Sequence, residues 1–246
     1  MNQTRISKKT ISRISSYRRM LYNFGIAGNT NVYSHQIAGF CGVTPAQVRR
    51  DLMSVGYSGS PNRGYNVQAL IKSIGDFLDE PHGQPVALIG VGNLGRAILA
   101  YFAGRRPKLS IVAAFDVVPE RINRAIHGCR CYHVNSFPEV AKREGISVGI
   151  ITTPADTSQA IADTMVDNGV RGILNFAPLS LKVPPSVYVV DMDMITALET
   201  VAYFARQSEE YIARVPEDDT VESSASEPVV ESEKVSGHPQ SGSANP

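Results

Sequence analysis

Hydrophobic and polar residues follow three different patterns along this chain of 246 residues. Up to about residue 80, apolar side chains recur every three or four positions, as they do on amphipathic helices. From residue 86 onward, short continuous apolar runs alternate with further helical patterns. Beyond residue 215 aromatic residues are absent and Ser, Glu and Pro are frequent, so this segment cannot bury enough surface to fold. We therefore expect a domain at 1–80, a linker at 81–85, a second domain at 86–192, a helix at 193–210 and a disordered acidic tail at 215–246.

The N-terminal domain contains three predicted helices. The second of these helices begins at Ser34, which can cap it, and ends at Gly42. The third starts at Thr44, a good N-cap, with Pro45 in the first helical position. The first helix has an apolar face, and its arginines occupy other faces. That apolar face consists of Ile11, Ile14, Tyr17, Leu21 and Phe24, and the arginines are Arg13, Arg18 and Arg19.

Two helices joined by a short turn that contains glycine are typical of helix-turn-helix domains, which bind DNA. The third helix exposes Arg49 and Arg50, whose side chains can meet phosphates and guanine edges. The segment 56–65 combines glycines, a proline and Arg63 between tyrosines, which suits a β-wing that enters a minor groove. A small helical domain with a solvated basic face is the alternative. The candidate DNA contacts are Arg13, Thr44, Gln47, Arg49, Arg50, Tyr57, Arg63 and Gly64.

Charge is distributed unevenly, although the formal net charge is only +1. Residues 1–80 contain ten basic and four acidic side chains, whereas residues 215–246 contain seven acidic side chains and one lysine. A basic head favours a polyanionic partner, which the acidic tail would not bind. The cysteines Cys41, Cys129 and Cys131 form no zinc-binding pattern, and we expect reduced thiols in a cytoplasmic protein. No apolar run is long enough to span a membrane.

The middle of the chain predicts a parallel sheet with helices on both faces. Its strands are continuous apolar runs separated by helical patterns, which is the arrangement of doubly wound α/β domains. One helix is expected from Leu94 to Phe102, and another runs from Pro154 to Asn168, where Gly169 ends it. The predicted strands are Val86–Ile89, Leu109–Phe115, Val148–Thr152, Gly172–Phe176 and Val187–Val190.

A glycine motif of the form GxGxxG links the first of these strands to its helix. In dinucleotide-binding domains the first glycine permits a tight turn, the second lets the backbone approach a pyrophosphate, and the third lets the helix pack on the strand. The helix N-terminus then attracts the phosphates. A glycine-rich turn without a ligand is the alternative. The motif consists of Gly90, Val91, Gly92, Asn93, Leu94 and Gly95.

Asp116 lies 21 residues beyond Gly95, where a carboxylate accepts hydrogen bonds from an adenosine ribose. It would repel a 2′-phosphate, and the adjacent Val117 and Val118 supply no cation, which favours NAD(H) over NADP(H). The loops after the strands at 148–152 and 172–176 are candidates for contacts with the nicotinamide half, with plain turns as the alternative. These candidates are Thr152, Thr153, Pro154, Asn175 and Phe176.

The two halves together resemble the Rex family of redox-sensing transcriptional repressors. The resemblance extends from about Arg5 to Gln207 and implies a repressor rather than an enzyme, with a winged helix-turn-helix, a doubly wound Rossmann domain and a C-terminal helix exchanged between two subunits. It also implies that the homodimer binds palindromic operator DNA and is released when NADH binds, so that it responds to the NADH/NAD+ ratio. The motifs that carry the resemblance are ISRISSY at 11–17, QVRRDL at 47–52, RGY at 63–65, the glycine motif, FD at 115–116 and GILNFAP at 172–178.

The same resemblance implies roles for four further residues. Arg19 and Asp193 would pair at the interface between the two domains, and Tyr101 would respond to the redox state of the nicotinamide. Met194 stands where some relatives carry an aromatic residue near the nicotinamide. Methionine still supplies an adaptable apolar surface, and we expect this difference to affect how strongly NADH is distinguished from NAD+.

Two other functions fit part of the sequence. An NAD-dependent oxidoreductase needs a substrate domain and a proton-transfer residue near the nicotinamide. Only a helix and a tail follow the second domain, however, and none of the five histidines lies in the nicotinamide loops. A CoA-type nucleotide-binding module fused to an interaction domain is compatible with the glycine turn alone. Asp116 argues against that module, because its carboxylate suits a ribose with free hydroxyls.

Overall fold

The computed structural model describes residues 6–60, 63–104 and 108–214, with side chains up to Gln207. The predicted tail at 215–246 lies outside the described residues, as do Pro61 and Asn62 of the predicted wing. The chain divides into two compact units, one that ends at Asp193 and one that begins at Met194. None of the described helices is long and apolar enough to cross a membrane.

Four helices and a two-stranded ribbon form the N-terminal part of the first unit. The ribbon is antiparallel, with Asn31 opposite Asn66 and Val32 opposite Tyr65. It joins the segment before the second helix to the segment before the fourth, which closes the predicted wing at its base. The elements are α1 (Lys8–Ile26), β1 (Asn31–Val32), α2 (Ser34–Cys41), α3 (Pro45–Ser54), β2 (Tyr65–Asn66) and α4 (Val67–Leu78).

The starts of the second and third helices test the predicted caps. Thr44 caps α3 as predicted, because its hydroxyl accepts a hydrogen bond from the Gln47 N–H at 3.2 Å. The predicted cap of α2 is wrong by one residue. Tyr33 is the N-cap, and its N–H donates to Gln36 Oε1 at 2.8 Å, so that Ser34 becomes the first helical residue. The glutamine side chain satisfies the terminal donor here, which leaves no capping role for the serine.

The predicted apolar face of α1 forms much of the N-terminal core. Ile14, Tyr17 and Leu21 are fully buried and pack with residues of the other three helices, whereas Ile11 is 37 % exposed. Arg18 was expected on another face, yet it is buried and its guanidinium lies 2.6 Å from Asp79 Oδ1. A long aliphatic stem lets arginine enter a core when a carboxylate meets its charged end.

A seven-stranded sheet carries the rest of the first unit. The strand order is β5-β6-β4-β3-β7-β8-β9, and every neighbouring pair is parallel except the antiparallel β5 and β6. The chain moves outward from β3 to β4 and then crosses to β7, so the strand order reverses beside β3, which is where doubly wound sheets bind ligands. These strands are β3 (Gln84–Ile89), β4 (Leu109–Asp116), β5 (Ala125–Ile126), β6 (Cys129–His133), β7 (Val148–Ile151), β8 (Gly172–Asn175) and β9 (Tyr188–Asp191).

Helices cover both faces of this sheet, as predicted. Successive residues of a strand point to opposite faces. Val86 and Leu88 of β3 therefore pack with one helix, while Ala87 and Ile89 pack with two others. The first face is covered by α5 (Asn93–Phe102), and the opposite face by α6 (Phe137–Glu144) and α7 (Ala155–Asp167).

The hairpin of β5 and β6 was not predicted from the sequence, nor was α6. In β6, Cys129 and Cys131 share the buried side of the strand and Arg130 between them is exposed. Both thiols are free. A five-residue strand that contains arginine and histidine has no continuous apolar run, so it lacks the signal that marked the other parallel strands.

The second unit contains a single helix in its described part, α8 (Met194–Arg214), which extends four residues beyond the predicted end at residue 210. Apolar side chains are exposed along it at the spacing of one helical face. Ile195, Leu198, Val201 and Phe204 are each between 59 % and 70 % exposed.

Candidate functional site

The glycine turn joins β3 to α5 at the point where the strand order reverses. Gly90 has a positive φ of 97°, and a Cβ there would lie 2.8 Å from Thr153 Cγ2. A Cβ on Gly95 would collide with the carbonyl oxygen of Gly90. Gly92 differs from both, because a Cβ there would meet nothing within 4 Å. Two of the three glycines are thus required by the protein's own packing, and the third borders open space.

Asp116 lies under this turn, at the end of β4, and its carboxylate accepts four hydrogen bonds. Its Oδ2 accepts from the Val91 N–H at 2.7 Å and from Arg121 at 2.9 Å. Its Oδ1 accepts from the Val117 and Val118 N–H groups at 2.8 and 2.9 Å. Burial by itself would raise the pKa of Asp116, but hydrogen bonds from Val118, Arg121 and Val91 outweigh burial and lower that pKa. The carboxylate is therefore ionised and holds the turn in place.

Arg121 was missed by the sequence reasoning, which looked for a cation only at the two residues after Asp116. The intervening turn brings Arg121 back to the carboxylate, and its side chain is 31 % exposed. A carboxylate has about four acceptor positions. Because three main-chain N–H groups and Arg121 fill them, Arg121 is the one side-chain donor, among the residues that the structure describes, that a ribose hydroxyl would replace or share.

The loop after β7 lies beside the glycine turn. The hydroxyl of Thr152 donates to the carbonyl oxygens of Ile89 at 3.0 Å and Gly90 at 2.6 Å, which ties the two strand ends together. The hydroxyl oxygen of Thr153 is buried and has no hydrogen-bond partner in the described part of the chain. Pro154 is exposed and caps α7. Of the two hydroxyls, only that of Thr153 therefore has an unused capacity to form a hydrogen bond with a ligand.

The loop after β8 is held by Asn175. Its amide nitrogen donates to the Leu179 carbonyl oxygen at 2.7 Å and to Asp191 Oδ1 at 2.8 Å, and its oxygen accepts from the Ala177 N–H at 3.0 Å. Asn175 is 1 % exposed, so its side chain shapes the loop and has little capacity left for a ligand. Phe176 is partly buried and packs against the core on the α5 side of the sheet.

The residues whose roles rest on the family resemblance lie at the surface. Tyr101 is 60 % exposed on α5, with its ring 5.4 Å from that of Phe102. Asp193 is exposed at the end of the first unit. Arg19 lies in a groove beside Ser16 and Phe40. The expected pairing of Arg19 with Asp193 stays a prediction, as does the place of Met194 near the nicotinamide.

A dinucleotide fits the features around the glycine turn. The open side of Gly92 is the space that a Cβ would fill, and the first N–H groups of α5 have no partner within their own helix. The side chain of Thr153 packs its methyl group against the same turn, and its hydroxyl is buried without a hydrogen-bond partner among the described residues. No group of three or more His, Cys, Asp or Glu side chains that could hold a metal ion occurs among the described residues.

The candidate DNA surface centres on α3. Arg49 and Arg50 are exposed, with Arg49 Nη1 at 3.2 Å from Ser34 Oγ and Arg50 Nη2 at 2.8 Å from Gln47 Oε1. These contacts are exposed and leave both guanidinium groups accessible. The hydroxyl of Thr44 is engaged in capping α3. Thr44 nevertheless lies at the start of this helix, beside N–H groups that can bind a phosphate.

A buried carboxylate behind α3 engages two of the predicted DNA contacts. Arg13 forms a two-pronged ion pair with Asp51, at 2.6 and 2.8 Å. Tyr17 and Gln47 donate to the same carboxylate at 2.9 and 2.8 Å. Burial would raise the pKa of Asp51, but the hydrogen bonds from Arg13, Tyr17 and Gln47 lower it. Arg13 and Tyr17 therefore fix the position of α3 on α1, whereas Gln47 bonds Asp51 within α3 itself. The sequence did not indicate these roles.

The wing is closed by two main-chain hydrogen bonds between Ser60 and Gly64, at 2.8 and 2.9 Å. Gly64 has a φ of 65°, and a Cβ there would press on the Val32 carbonyl oxygen and the Tyr33 ring, so glycine is required. The Tyr57 ring lies 6.2 Å from that of Tyr65 at the base. Arg63 is exposed beside the tip.

Two family models match the chain. Residues 5–52 match the family described as "Putative DNA-binding protein N-terminus", and residues 83–179 match the family described as "CoA binding domain". The redox-sensing transcriptional repressor Rex of Listeria welshimeri is 36% identical over 201 residues, which cover 82% of this chain and 94% of that protein. Rex of Anoxybacillus flavithermus is 37% identical over 204 residues, which cover 83% and 96%.

Solved structures give the same relationship. The crystal structure of RSP in complex with beta-NAD+ and operator DNA matches with a TM-score of 0.76 and 30% identity, over 85% of this chain and 97% of that one. The crystal structure of RSP in complex with beta-NADH matches with a TM-score of 0.74 and 29% identity, over 85% and 99%. The similarity to these proteins thus covers the helix-turn-helix and the glycine-turn domain together.

Proposed function

This chain belongs to the Rex family of redox-sensing transcriptional repressors, and we propose that it binds palindromic operator DNA as a homodimer and is released when NADH occupies the glycine turn. It is a transcriptional repressor and not an enzyme, and NADH and NAD+ are the ligands that it senses. The observation that carries the proposal is the turn itself, in which Gly92 faces open space while Asp116 holds the loop.

The proposed ligand contacts follow from that geometry. The pyrophosphate lies over Gly92 at the N-terminus of α5, and the adenosine ribose approaches Asp116 in competition with Arg121. The bound dinucleotide supplies a nicotinamide ring that is cationic when oxidised and uncharged when reduced. An apolar surface such as the Phe176 ring favours the reduced form, because burying an unpaired cation is costly.

The proposed DNA contacts are the exposed arginines of α3 and the wing, Arg49, Arg50 and Arg63, together with the start of α3 at Thr44. Arg13 acts indirectly, since it holds Asp51 from α1 and thereby the angle of α3, and Gln47 supports the same carboxylate from within α3. Tyr57 and Gly64 shape the wing. Release follows if NADH changes the separation of the two helices in the dimer, because half-sites lie on successive turns of DNA. NADH can shift that equilibrium only through its different affinities for the two states.

The homodimer is supported by α8, whose apolar face is exposed in one copy of the chain. A continuous apolar stripe on a helix marks a surface that another protein surface covers. We expect the second copy of this chain to cover it, as the resemblance implies. Leu198→Glu should convert the dimer to a monomer in light scattering, whereas Glu199→Gln on the neighbouring position should leave the dimer intact. A dimeric L198E protein would contradict this role of α8.

The proposal places the protein in the cytoplasm. Burial raises the pKa of Cys129 and of Cys131 to about 11, which favours the protonated thiol over the reactive thiolate at neutral pH. Cys41 is shielded in the same sense, since burial raises its pKa. The proposed redox sensing through the nicotinamide assigns no role to these cysteines.

Gly92→Ala provides the test that separates ligand sensing from folding. The φ of Gly92 is −72°, which alanine adopts without strain, and the new Cβ meets only open space in the ligand-free protein. The variant should fold and bind operator DNA normally, but it should lose NADH binding in calorimetry and stay on the operator when NADH is added. Calorimetry of the wild type with CoA tests the remaining nucleotide alternative. Retained NADH binding by the variant, or tighter binding of CoA than of NADH, would contradict the proposed site.

A further inference from the structure

Thr152 and Thr153 are neighbours in the loop after β7, but only the hydroxyl of Thr152 forms hydrogen bonds within the described part of the chain. Thr152 donates to two main-chain carbonyl oxygens, at 3.0 Å and 2.6 Å. Thr153 Oγ1 is buried and has no hydrogen-bond partner in the part of the chain that the structure describes. A buried hydroxyl without a partner is destabilising, because it has lost its hydrogen bonds to water and gained none in the protein. Such a group in a folded protein calls for an explanation.

The position of Thr153 suggests one. Its methyl group, Cγ2, lies 2.8 Å from the point where a Cβ of Gly90 would stand, so the side chain is packed against the first glycine of the turn. The strands that lead to the two residues are paired in register, with Ile89 opposite Ile151. In doubly wound sheets the pyrophosphate and the ribose groups of a dinucleotide lie over this turn.

We propose that the Thr153 hydroxyl is a ligand contact that hydrogen-bonds the phosphate–ribose part of the bound dinucleotide. The proposal rests on the proposed function and names one atom within it. The hydroxyl gains a partner only when the nucleotide is bound. Its removal therefore has opposite effects on the free protein, which becomes more stable, and on the complex, which becomes weaker.

Thr153→Val tests both effects, since it replaces the hydroxyl by a methyl group of similar shape. We expect the free variant to melt about 2 °C or more above the wild type. We expect the dissociation constants of NADH, NAD+ and ADP-ribose all to rise roughly five- to tenfold in calorimetry. ADP-ribose is included because it keeps the phosphates and riboses but lacks the nicotinamide.

Three variants act as controls. Thr153→Ser keeps the hydroxyl and should bind all three nucleotides like the wild type. Thr153→Ala removes the hydroxyl together with the methyl group, so its comparison with Thr153→Ser, which lacks only the methyl group, reports the same loss of affinity if valine does not fit. Thr152→Val removes a hydroxyl that has partners, and it should lower the melting temperature of the free protein, the reverse of Thr153→Val.

Unchanged affinities in both T153V and T153A would overturn the proposal, as would a loss that spares ADP-ribose. Free T153V melting below the wild type, together with free T153A melting below T153S, would also contradict it, since the two comparisons would show that the hydroxyl is already satisfied. Failure of the wild type to bind any of the three nucleotides would instead disprove the proposed function, so the two failures are distinguishable.

Discussion

Each of the two domains of the first unit is organised around a buried aspartate, but the two carboxylates are held by different kinds of donor. In the helix-turn-helix, Asp51 collects side chains from two helices, Arg13, Tyr17 and Gln47. In the glycine-turn domain, Asp116 collects three main-chain N–H groups and one arginine. Asp51 therefore fixes one helix on another, whereas Asp116 fixes a loop whose main chain a ligand would contact. The first arrangement resists change, and the second can exchange one donor for a ligand hydroxyl.

The largest effect is expected for Asp51→Asn. It removes the charge that pairs with Arg13 and leaves Tyr17 and Arg13 competing for one amide oxygen, in a site where Asp51 is only 3 % exposed. Breaking a buried ion pair on one side typically costs about 3–5 kcal/mol. Chemical denaturation should show this loss together with the loss of operator binding. Asp76→Asn is the matched control, because the Lys72–Asp76 pair is exposed and such pairs contribute about 0–1 kcal/mol. Similar stabilities for the two variants would refute the structural role of Asp51.

Asp116→Asn should have a smaller effect on stability and a larger one on the ligand. The asparagine NH2 must face at least one main-chain N–H group, which leaves a donor unsatisfied at a cost of about 1–3 kcal/mol. The turn should loosen, and the dissociation constant of NADH in calorimetry should rise about tenfold or more. Operator binding without NADH should stay near the wild-type value. If NADH bound D116N as tightly as the wild type, the contrast between the two aspartates would fail.

Arg50→Ala separates direct from indirect DNA contacts. Arg50 is exposed, so its loss should not change the melting temperature, but it should weaken operator binding and reduce the slope of log affinity against log salt by about 0.9. Fluorescence anisotropy at several salt concentrations measures both values. Arg13→Ala is the informative comparison, since it should lower stability through Asp51. An unchanged salt slope in R50A would place Arg50 off the DNA.

The smallest of the expected effects is on how the stability of the protein depends on pH, and it concerns the same two aspartates. Both aspartates have a folded-state pKa below the ordinary value of 3.8. Their stabilising contribution is therefore complete above pH 3.8 and is lost as the pH falls through the folded-state pKa. Unfolding free energy measured between pH 7 and pH 2 should decline in the acid range, and less steeply in D51N and D116N than in the wild type. Identical acid slopes in all three proteins would contradict the depressed pKa values.

Much of the fold was predictable because its signals are local. The helix start at Thr44-Pro45, the glycine turn and the continuous apolar strands of the sheet all follow from a few adjacent residues. The strand at Cys129–His133 was missed, because alternating polar residues gave no apolar run. Arg18 was misplaced, because its partner Asp79 is 61 residues away and no helical periodicity reveals it.

In the candidate site, too, features with a local sequence signal were predictable and features that depend on distant residues were not. Asp116 was predicted as a site residue from its distance to the glycines, and in the structure its carboxylate accepts a hydrogen bond from the turn. Arg121 and the Arg13–Asp51 pair were missed, since each depends on how a loop or a second helix returns in space. Residue types at fixed spacings indicate which chemistry is available, but they do not show which side chains the protein has already used for its own folding.

The central claim is that the redox state of the bound nicotinamide decides whether the protein stays on DNA. The most direct measurement is a fluorescence anisotropy titration of a palindromic operator, recovered by selection from random duplexes, at constant total dinucleotide and varied NADH/NAD+ ratio. We expect the wild type to dissociate as NADH replaces NAD+, and G92A to remain bound throughout. Equal operator affinity of the wild type in NADH alone and in NAD+ alone would contradict the account.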